Sequence, residues 1–304
     1  MRITLRQLGV FVAIARYGTV TRAAQELNLT QSAASMALAD LETQLDCLLF
    51  DRAGKRLQLN DLGRQLLPRA MTTLAHAEGI EALARGQGDQ VGSLKIGASL
   101  TIGNYSMPPI IASFMREHPQ SQLTLDIANT SHIIAALGQF ELDIGFIEGY
   151  CHAPDLEVIP WRQDELVVFA APSHPLAAKT DLRESDLAAS AWVLREPGSG
   201  TREVFDNAVM GRLPNLHVLL ELGHTEAIQR VVSSGLGIGC ASRLSLQESL
   251  DNGALVVLPT PFWNLSRQFF ALIHRQKYRT FGLERFLEHC FREANALPSN
   301  CHHT

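Results

Sequence analysis

Cysteine is scarce in this sequence of 304 residues, and no two cysteines stand in a CxxC pair. The five cysteines are Cys47, Cys151, Cys240, Cys290 and Cys301. Disulfide frameworks and structural zinc sites are built from cysteines at characteristic close spacings, which are absent here. We therefore expect reduced thiols, as in a cytoplasmic protein.

Long apolar runs are missing as well. No stretch reaches the 18 or more apolar residues of a membrane-spanning helix, and no charged-then-apolar leader precedes the first helical pattern. The nucleophile-elbow, P-loop and HExxH motifs are also absent. We expect a cytoplasmic protein that is not an enzyme and that binds no membrane, cofactor or metal ion.

Charge is distributed unevenly along the chain. The net charge is −5, made up of +1 over residues 1–90, which hold 10 basic and 9 acidic residues, and −6 over the remainder. Such a chain is not a general nucleic-acid coat, but a small and locally basic module remains compatible with DNA binding. With 46% hydrophobic residues, a chain of this length can bury two or three cores.

The most informative motif lies between Thr19 and Glu42 and has the pattern of a helix-turn-helix. Apolar residues recur at helical spacing in two blocks, which are Ala23, Ala24 and Leu27, then Ala34, Leu38, Leu41 and Leu45. Thr30 precedes the second block and is suited to cap it. Gln31, Ser32 and Ser35 would then face outward, as base-reading residues of a recognition helix do. The alternative is a pair of packed surface helices.

A short basic hairpin is predicted directly after this motif. Residues 48–52 and 56–59 have the pattern of two strands around a turn that contains Gly54. Arg52, Lys55 and Arg56 lie together there, where phosphate contacts would hold a recognition helix in register. A charge cluster is often only a solvated surface, but its place beside the recognition helix favours DNA binding.

A long amphipathic helix is predicted from Asp61 to about Arg85. Its apolar residues recur at spacings of three and four and are Leu62, Leu66, Ala70, Leu74, Ala77, Ile80 and Ala84. A helix of about 37 Å must bury such a stripe, so we expect it to pair with the same helix of a second chain. Packing against its own chain is the alternative. Pro68 should bend or locally open the helix, and residues 86–90 have the composition of a hinge.

Strands and helices alternate over the rest of the chain. Strands are predicted at 93–98, 122–128, 142–147, 166–170, 191–194, 216–222, 237–241 and 269–273, and helices at 102–117, 131–137, after Gly200, 225–233 and 281–292. This alternation is typical of parallel sheets flanked by helices, and its two successive sets predict two α/β lobes. Ligands bind at the carboxyl ends of the strands in such sheets.

Four of the strand-to-helix junctions, at 98–101, 129–131, 198–202 and 223–225, are rich in glycine and hydroxyls. Each places backbone N–H groups and a hydroxyl at a helix N-terminus, which favours a small anion. Because Ser and Thr cap most helices, only convergence of several junctions on one cleft would indicate a site. The candidate ligand-binding residues are Ser99, Leu100, Thr101, Thr130, Ser199, Thr201 and Thr225, with Arg202 as a fixed positive charge.

A possible metal group stands in the sequence IEGYCH. Glu148, Cys151 and His152 are close together, but a Cys–His pair without a second pair elsewhere is poor ligand spacing. We predict no metal site and expect Glu148 to line the cleft between the lobes.

The sequence resembles the LysR-type transcriptional regulators. LRQLGVFVAIARYGTVTRAAQELNLTQSAAS and LLFDRAGKRLQLNDLGRQLL are similar to their N-terminal winged helix-turn-helix over most of residues 3–70. One departure concerns Met36, where many members carry a polar residue that reads bases, so the resemblance leaves the operator sequence open.

The C-terminal region resembles the LysR effector domain, which has two lobes like those of periplasmic binding proteins. The stretches GASLTIGNY, DIGFIEG, DELVVFAAPSHPL, REPGSGTRE and GLGIG carry this similarity. It is greatest to the YeiE-, CysB- and Cbb-like regulators of sulfur and carbon assimilation. The resemblance implies effector contacts from Ser99 and Thr101, from Thr130, and from Thr201, Arg202 and Thr225, and it implies a small anionic effector, with sulfur oxyanions favoured.

These observations predict an α/β protein in three parts. Residues 1–60 form the winged helix-turn-helix, 61–90 the linker helix and hinge, and 91–304 the effector domain, with lobe I at 91–163 and 268–295 and lobe II at 164–267. The expected partners are double-stranded operator DNA, a small anionic metabolite, a second copy in a dimer that assembles further into a tetramer, and RNA polymerase if the protein is an activator. The alternatives are a solute-binding protein and an enzyme of acyl or phosphoryl chemistry.

Overall fold

The computed structural model describes residues 2–53, 56–84, 91–213 and 216–296, and the side chains among them except those at 52–53, 82–83 and 295–296. The first part is a three-helix module with a hairpin. Its elements are α1 (Leu5–Tyr17), α2 (Val20–Glu26), α3 (Gln31–Leu45), β1 (Phe50–Ala53) and β2 (Arg56–Leu59). The predicted turn at Gly54 and Lys55 and the predicted hinge at 86–90 lie outside the described residues.

Local capping chemistry sets the limits of these helices. Thr4 and Gln7 form a capping box at the start of α1, and Gly18, with φ of 70°, ends it in a left-handed conformation that suits glycine. Thr30 caps α3 by accepting a hydrogen bond from the Ala33 N–H. Leu27, expected on the inner face of α2, is exposed because it forms the C-cap of that helix.

The hairpin is held against the helices. β1 and β2 pair antiparallel from Phe50 opposite Leu59 to Ala53 opposite Arg56. The Leu57 N–H donates to the Gly18 carbonyl over 2.9 Å, which places the start of β2 beside the turn between α1 and α2.

The linker helix α4 (Asp61–Ala84) is continuous through Pro68, so the expected opening of the helix at that residue is absent. Leu67 and Ala70 are buried in the core shared with α1, whereas Leu62 and Ile80 are exposed. Farther along, the ring of His76 lies 4.0 Å from the ring of Tyr278, which follows the last strand of the C-terminal domain. The linker helix therefore contacts both parts of its own chain and leaves some apolar side chains uncovered.

The C-terminal domain is built on a continuous sheet of the order β4-β3-β5-β11-β6-β9-β7-β8, with β10 paired to β6. The strands of the first half are β3 (Ser93–Ser99), β4 (Gln122–Ala128) and β5 (Ile144–Glu148), and those of the second half are β7 (Ala191–Arg195), β8 (His217–Leu222), β9 (Ile238–Ser242) and β10 (Val256–Leu258). β3, β4 and β5 pair parallel, as do β7, β8 and β9. Two long antiparallel strands, β6 (Leu156–Ala170) and β11 (Ser266–His274), pass from one half to the other.

Helices cover both halves of the sheet. They are α5 (Met107–Glu117), α6 (Thr130–Gly138) and α11 (Phe281–Ala296) in the first lobe, and α7 (Glu184–Ala188), α8 (Gly200–Val209), α9 (Thr225–Ser233) and α10 (Arg243–Asp251) in the second. Separate apolar cores form in each lobe, one around Phe114, Phe146 and Phe286 and another around Trp192 and Phe205. The expected fold of two α/β lobes is thus confirmed.

Several elements differ from the prediction. The helix expected from Ile102 begins as a π-helical turn (Ile102–Ser106) before α5, where prolines occupy the first turn. β6 starts at Leu156 rather than 166, because its first part is an alternating strand paired with β11 and not an apolar run. Helices α7 and α10 and strand β10 were not predicted. Among the described residues, no helix is both long and apolar enough to cross a membrane.

Candidate functional site

The carboxyl ends of β3 and β5 bring three of the predicted residues together. Since the two strands are parallel neighbours, Ser99 at the end of β3 lies beside Glu148 at the end of β5. The Ser99 hydroxyl donates to Glu148 Oε2, and the Thr101 hydroxyl approaches Glu148 Oε1 at 3.5 Å. All three residues are buried. The predicted junction after β3 therefore faces an acid side chain.

Glu148 is an enclosed carboxyl group, with a side chain only 1% exposed. Burial raises its pKa above the usual value of 4.5, while the positive charges of Arg267 and Arg195 act in the opposite direction. The surroundings therefore favour the protonated form more than water does.

Arg267, at the start of β11, connects hydroxyls of the two lobes and was missed by the sequence analysis. Its Nη1 donates to Thr201 Oγ1 over 2.9 Å and its Nη2 to Thr101 Oγ1 over 3.4 Å. Its Nε donates to Asp164 over 2.6 Å, because Asp164 on β6 is its register partner. The guanidinium side chain is 1% exposed, so it is the enclosed cation of the site.

Strand periodicity carried a signal for Arg267. In β11, alternate residues Arg267, Phe269, Ala271 and Ile273 are buried. The predicted strand began at Phe269, two residues too late to show a charged residue in register with the buried face.

Arg202, expected as the charge partner of the anion, is engaged elsewhere. Its Nε donates to the Asp206 carboxylate and its Nη1 to Glu221 Oε1 over 2.6 Å. A further bond runs from Nη1 to the Arg195 carbonyl. In this structure its charge is therefore paired with acids on its own helix and on β8, and its contact with an anion stays a prediction.

Thr130 and Ser199 hold the junction together rather than present free hydroxyls. The Thr130 hydroxyl donates to the Glu148 carbonyl and accepts from the Gly200 N–H, each over 3.2 Å. Ser199 caps α8 by accepting from the Arg202 N–H. A Cβ at Gly200 would lie 2.0 Å from the Glu148 carbonyl oxygen, so only glycine permits this approach. In this structure the Thr130 hydroxyl therefore connects β5 to α8, and its direct contact with an anion stays a prediction.

The remaining candidate residues, Leu100 and Thr225, are also buried beside strand-to-helix junctions. Leu100 is buried next to Thr101, and Thr225 is buried at the start of α9, whose N-cap makes no side-chain hydrogen bond. Beside Thr225, Glu226 accepts a hydrogen bond from Tyr105 of the first lobe over 2.9 Å. Burial and this bond raise the pKa of Tyr105 to about 12. The hydroxyl therefore stays protonated and joins the lobes.

Arg195, the last residue of β7, is a second enclosed guanidinium that the sequence analysis did not single out. Its Nε and Nη2 donate to Glu196, whose carboxylate also accepts from Asn129 of the first lobe. Its Nη1 is buried and has no hydrogen-bond partner among the described residues. The predicted strand at 191–194 ended one residue before it.

The group considered for metal binding is dispersed. Glu148 points into the hydroxyl cluster described above, and the His152 ring stacks with Tyr150. Within the described ranges, no three His, Cys, Asp or Glu side chains are arranged to hold a metal ion.

The N-terminal module presents a polar face. Thr30, Gln31, Ser32 and Ser35 are exposed on the first turns of α3, opposite the buried Ala34, Leu38 and Leu41, and Met36 is 65% exposed on the same face. Arg56 is exposed at the start of β2. Lys55 and the side chain of Arg52 lie outside the described part of the chain.

Two further arginines adjoin Arg56. Arg16 and Arg22 share with it a concave surface of about 610 Å³ at the turn between α1 and α2. None of the three forms an ion pair with a described residue. Their proximity is not visible in the sequence, because the hydrogen bond between Leu57 and Gly18 brings distant segments together.

Comparisons with known proteins agree with this architecture. The model of the bacterial regulatory helix-turn-helix protein, lysR family, matches residues 5–64, and that of the LysR substrate binding domain matches residues 87–295. The chain is 46% identical over 290 residues to an uncharacterized HTH-type transcriptional regulator, YeiE, from Escherichia coli K12, which covers 95% of this chain and 98% of the relative.

Two solved structures are similar over most or all of their length. A full-length variant of OxyR from Pseudomonas aeruginosa is 25% identical, with a TM-score of 0.75 and coverage of 98% of this chain and 96% of that one. The Synechocystis CcmR regulatory domain, solved with 2-PG, is 26% identical, with a TM-score of 0.64 and coverage of 68% and 100%. The chain therefore belongs to the LysR family of transcriptional regulators and is a DNA-binding regulator with an effector-binding domain, not an enzyme.

Proposed function

We propose that this regulator is controlled by a small anion bound between its lobes at Ser99, Thr101, Thr201 and Arg267, beside Glu148. The observation that carries the proposal is the enclosed Arg267 guanidinium, which donates to one hydroxyl from each lobe. A buried cation that organises hydroxyl groups is suited to an oxyanion or carboxylate.

Hydrogen-bond directions support this assignment. A hydroxyl that accepts from a guanidinium keeps its own hydrogen for a second partner. Thr201 accepts from Arg267 at 2.9 Å, so its hydrogen is directed elsewhere. The bond from Thr101 to Glu148 is long at 3.5 Å and is easily exchanged for a bond to an anion.

A ligand in this position contacts both lobes at once. It changes output only if it binds one arrangement of the lobes more tightly than another. Because the lobes meet through Thr101, Thr201 and Arg267, an anion at these groups favours the closed arrangement and alters the presentation of the DNA-binding modules.

Sulfite, sulfate and a short carboxylate are the proposed ligand classes. Each offers several acceptor oxygens to the two hydroxyls. The complex of the similar CcmR regulatory domain with 2-PG supports a small-molecule site in a domain of this kind.

Calorimetry of the full chain tests the proposal with sodium sulfite, sodium sulfate and sodium acetate as probes. Thr101→Val keeps the side-chain shape and deletes the hydroxyl, so it should weaken anion binding about tenfold, the cost of one hydrogen bond to a charged group. Thr180→Val, at an exposed position of the second lobe, is the matched control and should bind as the wild type does. Absence of binding of every probe to the wild type would refute the proposal, and equal affinities in both variants would remove Thr101 from the site.

The DNA-binding part of the proposal rests on the exposed face of α3. Gln31, Ser32 and Ser35 read base edges in the major groove, and Thr30 positions the helix start. Arg52, Lys55 and Arg56 contact phosphates, joined by Arg16 and Arg22, which share a concave surface with Arg56. If the protein is an activator, RNA polymerase is a further partner.

Self-association through α4 completes the proposal. Leu62 and Ile80 are 45% and 70% exposed although they belong to an apolar stripe, which supports coverage by the same helix of a second chain. A dimer presents two recognition helices to two half-sites, and contacts between lobes extend it to a tetramer.

A further inference from the structure

Arg195 has a buried donor without an acceptor. Its side chain is 1% exposed, and its Nη1 makes no hydrogen bond within the described part of the protein. Native proteins seldom leave a buried charged donor unpaired, because its lost hydration is not replaced. The orphaned amino group therefore points to a partner that the polypeptide does not supply.

The position of Arg195 connects it with the effector site. It ends β7 at the carboxyl edge, where ligands bind in open α/β sheets. Its partner Glu196 is bonded to Asn129, and the next residue, Thr130, is bonded both to the Glu148 carbonyl and to Gly200. The positive charge of Arg195 also lowers the pKa of Glu148, against the effect of burial, so the two groups interact electrostatically.

The other enclosed arginine provides a contrast. Arg267 has partners at all three of its guanidinium nitrogens, and its carboxylate partner Asp164 is only 7% exposed. Glu196, the carboxylate partner of Arg195, is 26% exposed and faces solvent in part. The charge of Arg195 is therefore less fully compensated on its enclosed side.

We infer that Arg195 is a second cationic anchor for the effector, with Nη1 donating to a ligand oxygen while the hydroxyls of Thr101 and Thr201 hold another. This inference rests on the proposed function of the site. It specifies the ligand as an anion with at least two acceptor oxygens that reaches both groups, and it makes Arg195 a determinant of selectivity for anions over neutral molecules.

The decisive variant is Arg195→Lys in the full chain, titrated with sodium sulfite and sodium sulfate by calorimetry. Lysine keeps the charge but loses the planar fork that bonds Glu196 and the ligand at once. The Kd of a probe that binds the wild type should rise tenfold or more, as expected for loss of a charge-assisted hydrogen bond. Arg183→Lys, an exposed arginine paired with Asp181, is the matched control and should change the Kd less than twofold.

A second variant separates anchoring from a merely structural role. Arg195→Met removes the unpaired donor together with two bonds to Glu196, and the rise in Tm that sulfite produces in the wild type should be lost, whatever the Tm without anion. A large fall in Tm without anion, together with an unchanged anion-induced rise, would show that Arg195 only supports the fold.

The outcomes distinguish the two proposals. If a probe binds the wild type and Arg195→Lys with equal affinity, the inference is wrong and the proposed effector site stands. If no probe binds the wild type, both are wrong.

Discussion

The arginines of the two functional surfaces of this regulator differ in exposure and in ion pairing. Arg16, Arg22 and Arg56 on the N-terminal module are exposed and form no ion pair with a described residue, whereas the side chains of Arg195 and Arg267 at the lobe junction are 1% exposed and bonded to carboxylates. Salt screens exposed charges over about 8–10 Å but affects enclosed pairs far less. The same residue type therefore suits salt-dependent attraction of phosphates at one surface and short-range ligand selection at the other.

The largest expected effect comes from removing Arg267 from its enclosed ion pair with Asp164. Arg267→Met leaves Asp164 buried without its cation, so the free energy of unfolding should fall by about 3–5 kcal/mol. Arg56→Ala, on the exposed surface, should change it by no more than about 0.5 kcal/mol. Urea unfolding of the full chain measures both values.

A second substitution checks the cause of that loss. Asp164→Leu in the Arg267→Met background removes the stranded carboxylate and should recover a large part of the stability. If the two arginine variants unfold at the same urea concentration, the distinction between exposed and enclosed arginines has no energetic basis.

The next effect concerns salt and DNA. Arg22→Ala and Arg56→Ala should each reduce the slope of log K against log salt by about one and weaken binding to all sequences alike, since each removes one phosphate contact. Gln31→Ala should instead change the preference among operators, by about 1–3 kcal/mol for the affected base pair.

Fluorescence anisotropy with operator and random duplexes at several salt concentrations measures these slopes. Arg183→Ala, in the second lobe, is the control and should leave the slope unchanged. An unaltered slope in Arg22→Ala would remove that residue from the phosphate-binding surface.

The smallest expected effect is on the pH dependence of stability. This dependence should have opposite signs for Glu148, whose pKa is raised, and Glu184, whose pKa is lowered. Because the pKa of Glu148 is raised by burial, its contribution to stability is present below the unfolded value near 4.5 and is lost as pH rises through the folded pKa. Glu148→Gln should therefore match the wild type at pH 4 and become more stable than it as pH rises to 7.

Half-buried Glu184 provides the contrast. Hydrogen bonding to Arg212 lowers its pKa, so its contribution is present above the unfolded value and is lost as pH falls through the folded pKa. Glu184→Gln should be slightly less stable than the wild type at pH 7 and equal to it in acid. Thermal unfolding from about pH 2 to pH 7 checks both, because the folded pKa of Glu184 lies below 4.5, and parallel profiles for the two variants would contradict the assignment of Glu148.

Local periodicity was sufficient to predict the helix-turn-helix, because its caps and buried positions lie within a few residues of one another. Thr30, Ala34, Leu38 and Leu41 occupy the expected positions in α3. The residue types after Ser99 and around Thr201 also predicted two of the junctions that meet between the lobes.

The charges of the lobe junction were not predictable in this way. Arg267 reaches Thr101 and Thr201 only because β11 passes between the two halves of the sheet. Arg202 has the same charge and stands beside Thr201, but it pairs with Asp206 one helical turn away and with Glu221, which only the fold brings near. Sequence proximity thus pointed to Arg202 and gave no sign of Arg267, since the partners of Arg267 are set by strand register.

Strand β11 connects the lobe junction with the linker helix. At one end it carries Arg267, and past its other end Tyr278 rests against His76 of the linker helix. Its nine residues span about 30 Å, and all nine lie in the ladder with β6, while Phe269–Leu272 also pair with β5. Because stretching or sliding the strand would break this ladder, β11 forms a stiff connection between the lobe junction and the contact with the linker helix.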